Sequence, residues 1–387
     1  MSLTAVKFVA SVCFLLALSA CAGLPARGSV GGQTIETRVD SEAARYYLAS
    51  YLAGQRGNAL LDERIDRVYR SANGNLPDRG ELKRLSDDFS IDFASLYFAD
   101  RIAFLPDNRR FRTAFDHAYD YARKVLPEGR VQLPAAAADY EWLFIPSYLY
   151  KRAPAKGADF AVPRAALQKV GLTCHFVETI DDGAVDTNAD LVVTAIRARA
   201  HSDRRLIVVS ASKSSAEVAL ALTKLGPAET WHVAAWVSIV GALQGSPLAD
   251  ERLLPDLEEL IGKVDPAGME SLTTARSRQR YAGFRIPKHV LVVNYLGIPV
   301  TGSISSLGHI GFSQLKHYGP NDGIGLLSDA IYPEGVTLVE LGRDHFLLGE
   351  QLDVTAVALA ITVIRWLEEH NANTPNPREI KIPPPER

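Results

Sequence analysis

The sequence predicts a mixed α/β domain, built on a mostly parallel sheet flanked by helices and preceded by an all-helical segment. From Asp139 onward, short apolar runs alternate with helix-length stretches, and parallel strands need crossover connections of this kind. Between residues 33 and 135, apolar residues instead recur at helical spacing, with no strand pattern and no chemical motif. We therefore expect a helical N-terminal segment at residues 33–135 and an α/β domain at residues 139–372.

Residues 1–20 have the pattern of a secretory signal peptide. One cation is followed by an apolar run that ends near Leu18 and is too short to span a bilayer. The run stops at Leu18-Ser19-Ala20-Cys21, which resembles the lipobox of bacterial lipoproteins. The resemblance implies that Cys21 is lipidated, that residues 21–32 form a flexible tether, and that the protein is anchored by lipid to a membrane of the bacterial cell envelope. The alternative is an ordinary signal peptide with an incidental cysteine.

Helical spacing divides the N-terminal segment into several helices. Apolar residues share one face within residues 44–52 and again within residues 61–69. Ser90 stands where it can cap a helix that runs toward Phe104, and a further periodic stretch covers residues 111–125. The segment either packs as a separate domain or lies over the α/β domain as a lid.

The α/β part is expected to contain six strands and four long helices in alternation. The expected strands are residues 142–150, 174–177, 205–209, 232–240, 289–295 and 337–341. The expected helices are residues 162–170, 187–200, 214–225 and 354–369. The tail, residues 373–387, is rich in proline and charge, and we expect it to fray.

Composition excludes several classes of function. A formal net charge of -3, with charged residues interspersed, gives no electrostatic footprint for nucleic acid.

Hydrophobic residues make up 47% of the chain, which is enough to fill a large core. Cys174 is the only thiol left once the signal peptide is removed and Cys21 is lipidated, so no internal disulfide is expected. No histidine or carboxylate pair has metal-ligand spacing on a helix, and we expect neither a metal nor a cofactor.

A strand that runs directly into a helix carries the most informative motif. Small residues surround Ser212 in the segment Ser210-Ala211-Ser212-Lys213-Ser214. A nucleophile elbow needs this arrangement because strand and helix must approach closely, and its usual pattern is G-x-S-x-G. Serine replaces both glycines here, which costs energy if either position needs positive φ. A plain strand-turn-helix with capping serines is the alternative interpretation.

Two residues downstream complete a possible catalytic set. Asp322 lies in the glycine-rich turn of residues 319–325, and His345 follows the last expected strand. Both, like Ser212, are expected at the carboxyl ends of strands, where an open parallel sheet gathers its active site. Three other acids compete with Asp322 for the role of the acid: Asp329, Asp344 and Glu340.

The order nucleophile, acid, histidine makes the region from residue 139 to 370 resemble the α/β-hydrolase family, and within it the lipase-like and esterase-like members. Residues 231–250 resemble the strand that follows the elbow in bacterial lipases. The resemblance implies a triad in which Ser212 is the nucleophile, His345 the base and Asp322 the orienting acid. The implied substrate is a small-molecule or lipid acyl ester, cleaved through an acyl-enzyme.

An oxyanion hole is also implied. One donor is the backbone N–H of Lys213, directly after the nucleophile, and the second comes from the loop after the first strand, at Ser147 or Tyr148. The His-Gly pair that many members of the family carry in this loop is absent. Residues 247–287, between two strands, are the expected cap or pocket wall.

Other functions stay open at this stage. A peptidase or an acyltransferase can have the same fold, and so can a non-catalytic envelope-binding lipoprotein with a decayed elbow. Ser210 and Lys213 also satisfy the S-x-x-K motif of penicillin-binding proteins and class A β-lactamases. That motif requires S-D-N and K-T-G partners, and neither occurs in the sequence.

Overall fold

A six-stranded, wholly parallel sheet forms the centre of the computed structural model. The structure describes residues 23–72, 74–153, 157–251, 265–349 and 351–371. The strands of the sheet are β3 (Tyr140–Ile145), β4 (Thr173–Phe176), β5 (Arg205–Ala211), β6 (Val233–Ile239), β7 (Leu291–Ile298) and β8 (Val336–Leu341). They lie in the order β4-β3-β5-β6-β7-β8, so all six carboxyl ends meet at one edge.

Both faces of the sheet are covered by helices. Side chains alternate along each strand, so that Trp142 and Phe144 of β3 enter one core while Leu143 and Ile145 enter the other. The first core is completed by the helices Pro106–Val125, Ala161–Lys169 and Leu352–Asn371, named α5, α6 and α13 below. The second is completed by α7 (Val185–Arg197) and α8 (Lys213–Glu229). Burial on both faces explains why the strands read as continuous apolar runs. The parallel sheet and its helical layers are consistent with the α/β-hydrolase fold, which confirms the expected fold class.

The N-terminal region corrects two expectations. It opens with an antiparallel hairpin of β1 (Leu24–Val30) and β2 (Gln33–Val39), joined by Gly31 and Gly32, both at positive φ. The expected tether at residues 21–32 is therefore mostly a strand wherever the structure describes it. The segment expected to be all-helical begins with a strand as well.

Helices follow the hairpin, as predicted. They are α1 (Glu42–Tyr46), continued by a π-helical turn over Tyr47–Tyr51, then α2 (Ala59–Ser71), α3 (Arg79–Asp88), α4 (Ile91–Phe104) and α5. Ser90 caps α4, as expected, because its side chain accepts from the Phe93 N–H at 3.2 Å. Shorter helices lie in the α/β region, namely α9 (Pro247–Asp250), α10 (Pro266–Glu270), α11 (Thr274–Ala282) and α12 (His309–Leu315).

The hairpin and helices α1 to α4 pack against the sheet. Their apolar side chains form one core with Leu296 and Ile298 of β7 and Val339 of β8. The hairpin also covers the exposed edge of β8, because the Gln33 side chain donates to Val339 O at 2.8 Å and accepts from Leu341 N–H at 3.0 Å. The N-terminal region thus joins the core of the α/β domain instead of standing apart from it.

Element limits in the α/β region agree with the sequence expectations within a few residues, with one exception. The first strand was expected over residues 142–150, but β3 ends at Ile145 because Pro146 follows and Leu149 adopts positive φ. The expected signal peptide, Cys21, the middle of the expected cap and the tail at residues 373–387 lie outside the described residues. Within the described ranges, no helix has the length and apolar character needed to cross a membrane.

Candidate active site

Ser212 occupies a strained bend between β5 and α8. Its φ is 53° and its ψ is -122°, a conformation that a residue with a side chain adopts at a cost of about 1–3 kcal/mol. Backbone hydrogen bonds hold the bend in place: Ser212 N–H donates to Ile239 O at 2.9 Å, and Ser212 O accepts from Ala242 N–H at 3.0 Å. The bend leaves the Ser212 side chain at the start of a helix, where a nucleophile elbow presents its hydroxyl.

The two serines that replace the elbow glycines have structural partners. Ser214 Oγ accepts from Ala211 N–H at 2.9 Å and lies 3.0 Å from Ile145 O of β3, to which it donates. Ser210 Oγ accepts from the indole of Trp236 at 2.8 Å. Neither serine has positive φ, so neither position requires glycine. These hydroxyls tie the elbow to the strands on either side of β5.

His345 and Asp322 form a side-chain pair. His345 Nδ1 lies 2.8 Å from Asp322 Oδ2, and the two side chains are 11% and 7% exposed. The other carboxylate oxygen, Oδ1, accepts from the N–H groups of Ile324 and Gly325 at 2.9 and 2.8 Å. The carboxylate is therefore held rigidly by its own turn. His345 Nε2 has no hydrogen-bond partner among the described residues.

The three competing acids are engaged elsewhere. Asp329 is buried and forms an ion pair with the partly exposed Arg79 of α3, and burial raises the pKa of the Asp329 carboxyl. Asp344 accepts from the N–H groups of Ser305 and Phe346, at 2.8 and 3.1 Å. Glu340 pairs with Arg112 at 3.2 Å. Among these four acids, the structure brings Asp322 to the imidazole.

The two candidates for the second oxyanion donor differ in availability. Ser147 N–H already donates to Ala158 O at 2.9 Å, so it is not free to bind an anion. Tyr148 N–H donates to no described group, and neither does the N–H of Lys213 at the first position of α8. The helix dipole adds positive potential at Lys213. Of the two candidates, the Ser147 N–H is therefore engaged, and the Tyr148 N–H is the one left without a described acceptor.

The candidate nucleophile, histidine and second oxyanion donor all lie at the carboxyl edge of the sheet. Ser212 follows β5, Tyr148 follows β3, and His345 follows β8. Backbone strain is concentrated in the segments that follow the strands. Four residues with side chains adopt positive φ there, directly after a strand at Ser212 and Val240 and a few residues further on at Leu149 and Leu347. Strained conformations of this kind collect at functional sites because the surrounding structure must enforce them.

One buried ion pair next to Ser212 could not be predicted from the sequence. Lys213 and Glu217 form a salt bridge on α8 with both side chains only 2% exposed. Lysine and glutamate four residues apart usually mark a solvated helix face, so the sequence spacing gives no indication of burial. Burial raises the pKa of Glu217, and it raises the pKa of the neighbouring Tyr148 to about 12. No cluster of three or more metal-ligating side chains occurs in the part of the chain that the structure describes.

No protein-family model and no curated protein matches the sequence. Similar solved structures include the metagenomic carboxyl esterase MGS0156, at 22% identity and TM-score 0.49 over 62% of this chain and 78% of that one. The mature lipase BlEst2 of Bacillus licheniformis is similar at 20% identity and TM-score 0.48, over 61% of this chain and 94% of that one. Lipase 1 from Pelosinus fermentans has 10% identity and TM-score 0.41, over 60% of this chain and 98% of that one.

Proposed function

We propose that the protein is a serine hydrolase that cleaves an acyl ester through an acyl-enzyme, with Ser212, His345 and Asp322 as its catalytic triad. The observation that carries the proposal is the His345–Asp322 pair, held at 2.8 Å at the same sheet edge as the bend at Ser212. An imidazole with Nδ1 bound to a buried carboxylate and Nε2 free is the arrangement that a serine hydroxyl needs from its base.

In the proposed first step, Ser212 Oγ attacks the ester carbonyl while His345 Nε2 takes the hydroxyl proton. Asp322 fixes the imidazole tautomer and stabilises the imidazolium that forms. The developing oxyanion is bound by the N–H groups of Lys213 and Tyr148, which have no described partner. His345 then returns the proton to the leaving alcohol, and a water attacks the acyl-enzyme by the same route.

A fluorophosphonate probe tests the nucleophile. We expect the folded protein to be labelled at Ser212 and to hydrolyse p-nitrophenyl esters of short or medium acyl chains. Ser212→Ala should abolish both, whereas Ser71→Ala, at an exposed serine on α2, should change neither. Absence of labelling and of hydrolysis in the folded protein would reject the enzyme and favour the non-catalytic binding protein. Cleavage of peptides in place of esters would favour a peptidase.

We also propose that Cys21 carries the lipid that anchors the protein to the bacterial envelope. The support is the sequence Leu18-Ser19-Ala20-Cys21 at the end of an apolar run. Expression in a bacterium fed a labelled fatty acid should give a labelled, membrane-bound protein that begins at Cys21. Cys21→Ser should release the protein from the membrane. A wild-type protein that stays unlabelled would point to an ordinary signal peptide.

A further inference from the structure

A buried ionic network begins at Lys213, the residue that follows the proposed nucleophile. The Lys213 ammonium contacts Glu217 Oε1, and the Asn188 amide of α7 donates to the same oxygen at 3.0 Å. Both charged side chains are 2% exposed. A buried ion pair is weak evidence for stability, because the desolvation of two charges offsets most of their attraction. Its position therefore calls for another explanation.

The ammonium of this network faces the loop that carries the second proposed oxyanion donor. Lys213 Nζ lies 5.7 Å from the centre of the Tyr148 ring, within the range of a cation–π interaction. The Lys213 and Tyr148 backbone N–H groups are the two proposed donors. The same lysine thus supplies one donor from its backbone and contacts the residue that supplies the other.

Asn188 gives the network a second connection to that loop. Its side chain bonds both the N–H and the carbonyl of Ile180, each at 3.0 Å. The adjoining residue Asp181 accepts from Leu149 N–H at 2.9 Å through its carbonyl, and from Lys151 N–H at 2.7 Å through its carboxylate. The turn that begins at Tyr148 is therefore connected to the network twice, through the ring contact with Lys213 and through the bonds that run from Asn188 by way of Ile180 and Asp181.

We propose that Lys213, Glu217 and Asn188 are positioning residues that fix the Tyr148 N–H relative to the Lys213 N–H and so set the geometry of the oxyanion hole. The inference rests on the proposed function. Because the hole binds the oxyanion of the transition state more strongly than the carbonyl of the ester, displacing one donor lowers kcat and leaves KM nearly unchanged.

The test is the double variant Lys213→Met/Glu217→Leu, which removes both charges together and leaves neither buried alone. We expect a folded protein, because apolar residues of similar volume often replace buried ion pairs without loss of stability. We expect kcat for p-nitrophenyl butyrate to fall about ten- to hundredfold, with KM within about twofold. The affinity for a trifluoromethyl ketone, which forms a tetrahedral adduct with the serine, should fall in parallel. The matched control, Lys83→Met/Asp87→Leu, removes an exposed lysine–aspartate pair of the same spacing on α3 and should leave kcat unchanged.

A folded double variant with unaltered kcat and unaltered ketone affinity overturns the positioning role alone, provided that the unmodified protein is active. Absence of hydrolysis by the unmodified protein overturns the proposed function and this inference with it. Should the double variant not fold, Tyr148→Leu takes its place, because it removes the ring contact and keeps the ion pair. It should show the same loss of kcat at constant KM, and an unchanged kcat there also overturns the inference.

Discussion

Asp322 holds His345 through two hydrogen bonds, one from the side chain and one from the backbone. Its Oδ2 lies 2.8 Å from His345 Nδ1, and its carbonyl accepts from the His345 N–H at 2.9 Å. The backbone bond does not involve the Asp322 side chain. A substitution of that side chain can therefore change the hydrogen bond to the imidazole while the histidine loop keeps its position.

Asp322→Asn should therefore leave the fold intact and still remove most of the activity. The amide presents a donor to Nδ1 and stabilises the wrong tautomer, and we expect kcat to fall about 10³- to 10⁴-fold. Asp329→Asn, which breaks the ion pair with Arg79, should lower the melting temperature and retain kcat. Steady-state kinetics and thermal unfolding of both variants distinguish the two acids, and the reverse pattern would assign the acid to Asp329.

Restoring the usual glycine at the elbow should weaken the protein. Ser214 Oγ satisfies the Ala211 N–H and reaches Ile145 O, so Ser214→Gly leaves a backbone donor without its partner. We expect a loss of about 1–3 kcal/mol in the free energy of unfolding, measured by urea denaturation. Ser71→Ala, at an exposed position, should change it by less than about 0.5 kcal/mol. An equal or higher stability for Ser214→Gly would show that the hydroxyl contributes nothing to the elbow.

The parallel sheet could be predicted from the sequence because its strands are buried on both faces. β5 reads Arg-Leu-Ile-Val-Val-Ser-Ala, with its five central residues buried, and it passes straight into a helix of different periodicity. Ser212, Asp322 and His345 each follow an expected strand, so all three could be assigned to the carboxyl edge of the sheet. The contact between Asp322 and His345 follows from that topology and from the local turn that orients the carboxylate.

The hairpin of β1 and β2 was missed because so little of it is buried. In β2 only Val39 is fully buried, and β1 contains Pro25 and Gly28, which weaken the strand pattern. Gly31-Gly32 was an available signal, since two glycines suit the tight turn of a hairpin. The burial of Lys213 and Glu217 depends on α7 and on the Tyr148 loop, and contacts so distant in sequence leave no periodic trace.

The buried carboxyl of Asp92 should make the stability of the protein depend on pH. Asp92 of α4 accepts from Thr301 N–H at 2.8 Å and from Asp40 N–H at 2.7 Å, and burial, followed by the charge of Asp40, raises its pKa from 3.8 to about 7. The folded protein keeps this proton to higher pH than the unfolded chain. The stability that Asp92 contributes is therefore fully present below about pH 4 and is lost as the pH rises toward 7.

Asp92→Asn removes this titration, so the wild type should lose stability between pH 5 and pH 8 through a group that the variant lacks. Relative to the wild type, the free energy of unfolding of the variant should therefore rise by about 1–3 kcal/mol over this range. Urea denaturation across that range measures it. Glu36→Gln, at an exposed position of β2, should give a difference that does not vary with pH. A constant difference for Asp92→Asn would mean that its carboxyl titrates alike in the folded and unfolded states.

Gln33→Ala should expose the edge of the sheet. The Gln33 side chain pairs with β8 as a neighbouring strand would, and Arg112 also donates to Val339 O at 2.8 Å, so the group left open is the Leu341 N–H. We expect the variant to lose about 1–2 kcal/mol in urea denaturation. It should also scatter more light on warming, because an open edge strand recruits other chains. Thr34→Ala removes an exposed hydroxyl one residue away and should behave as wild type. If Gln33→Ala matched Thr34→Ala in both measurements, the cover on this edge would come from the packed helices and not from the glutamine.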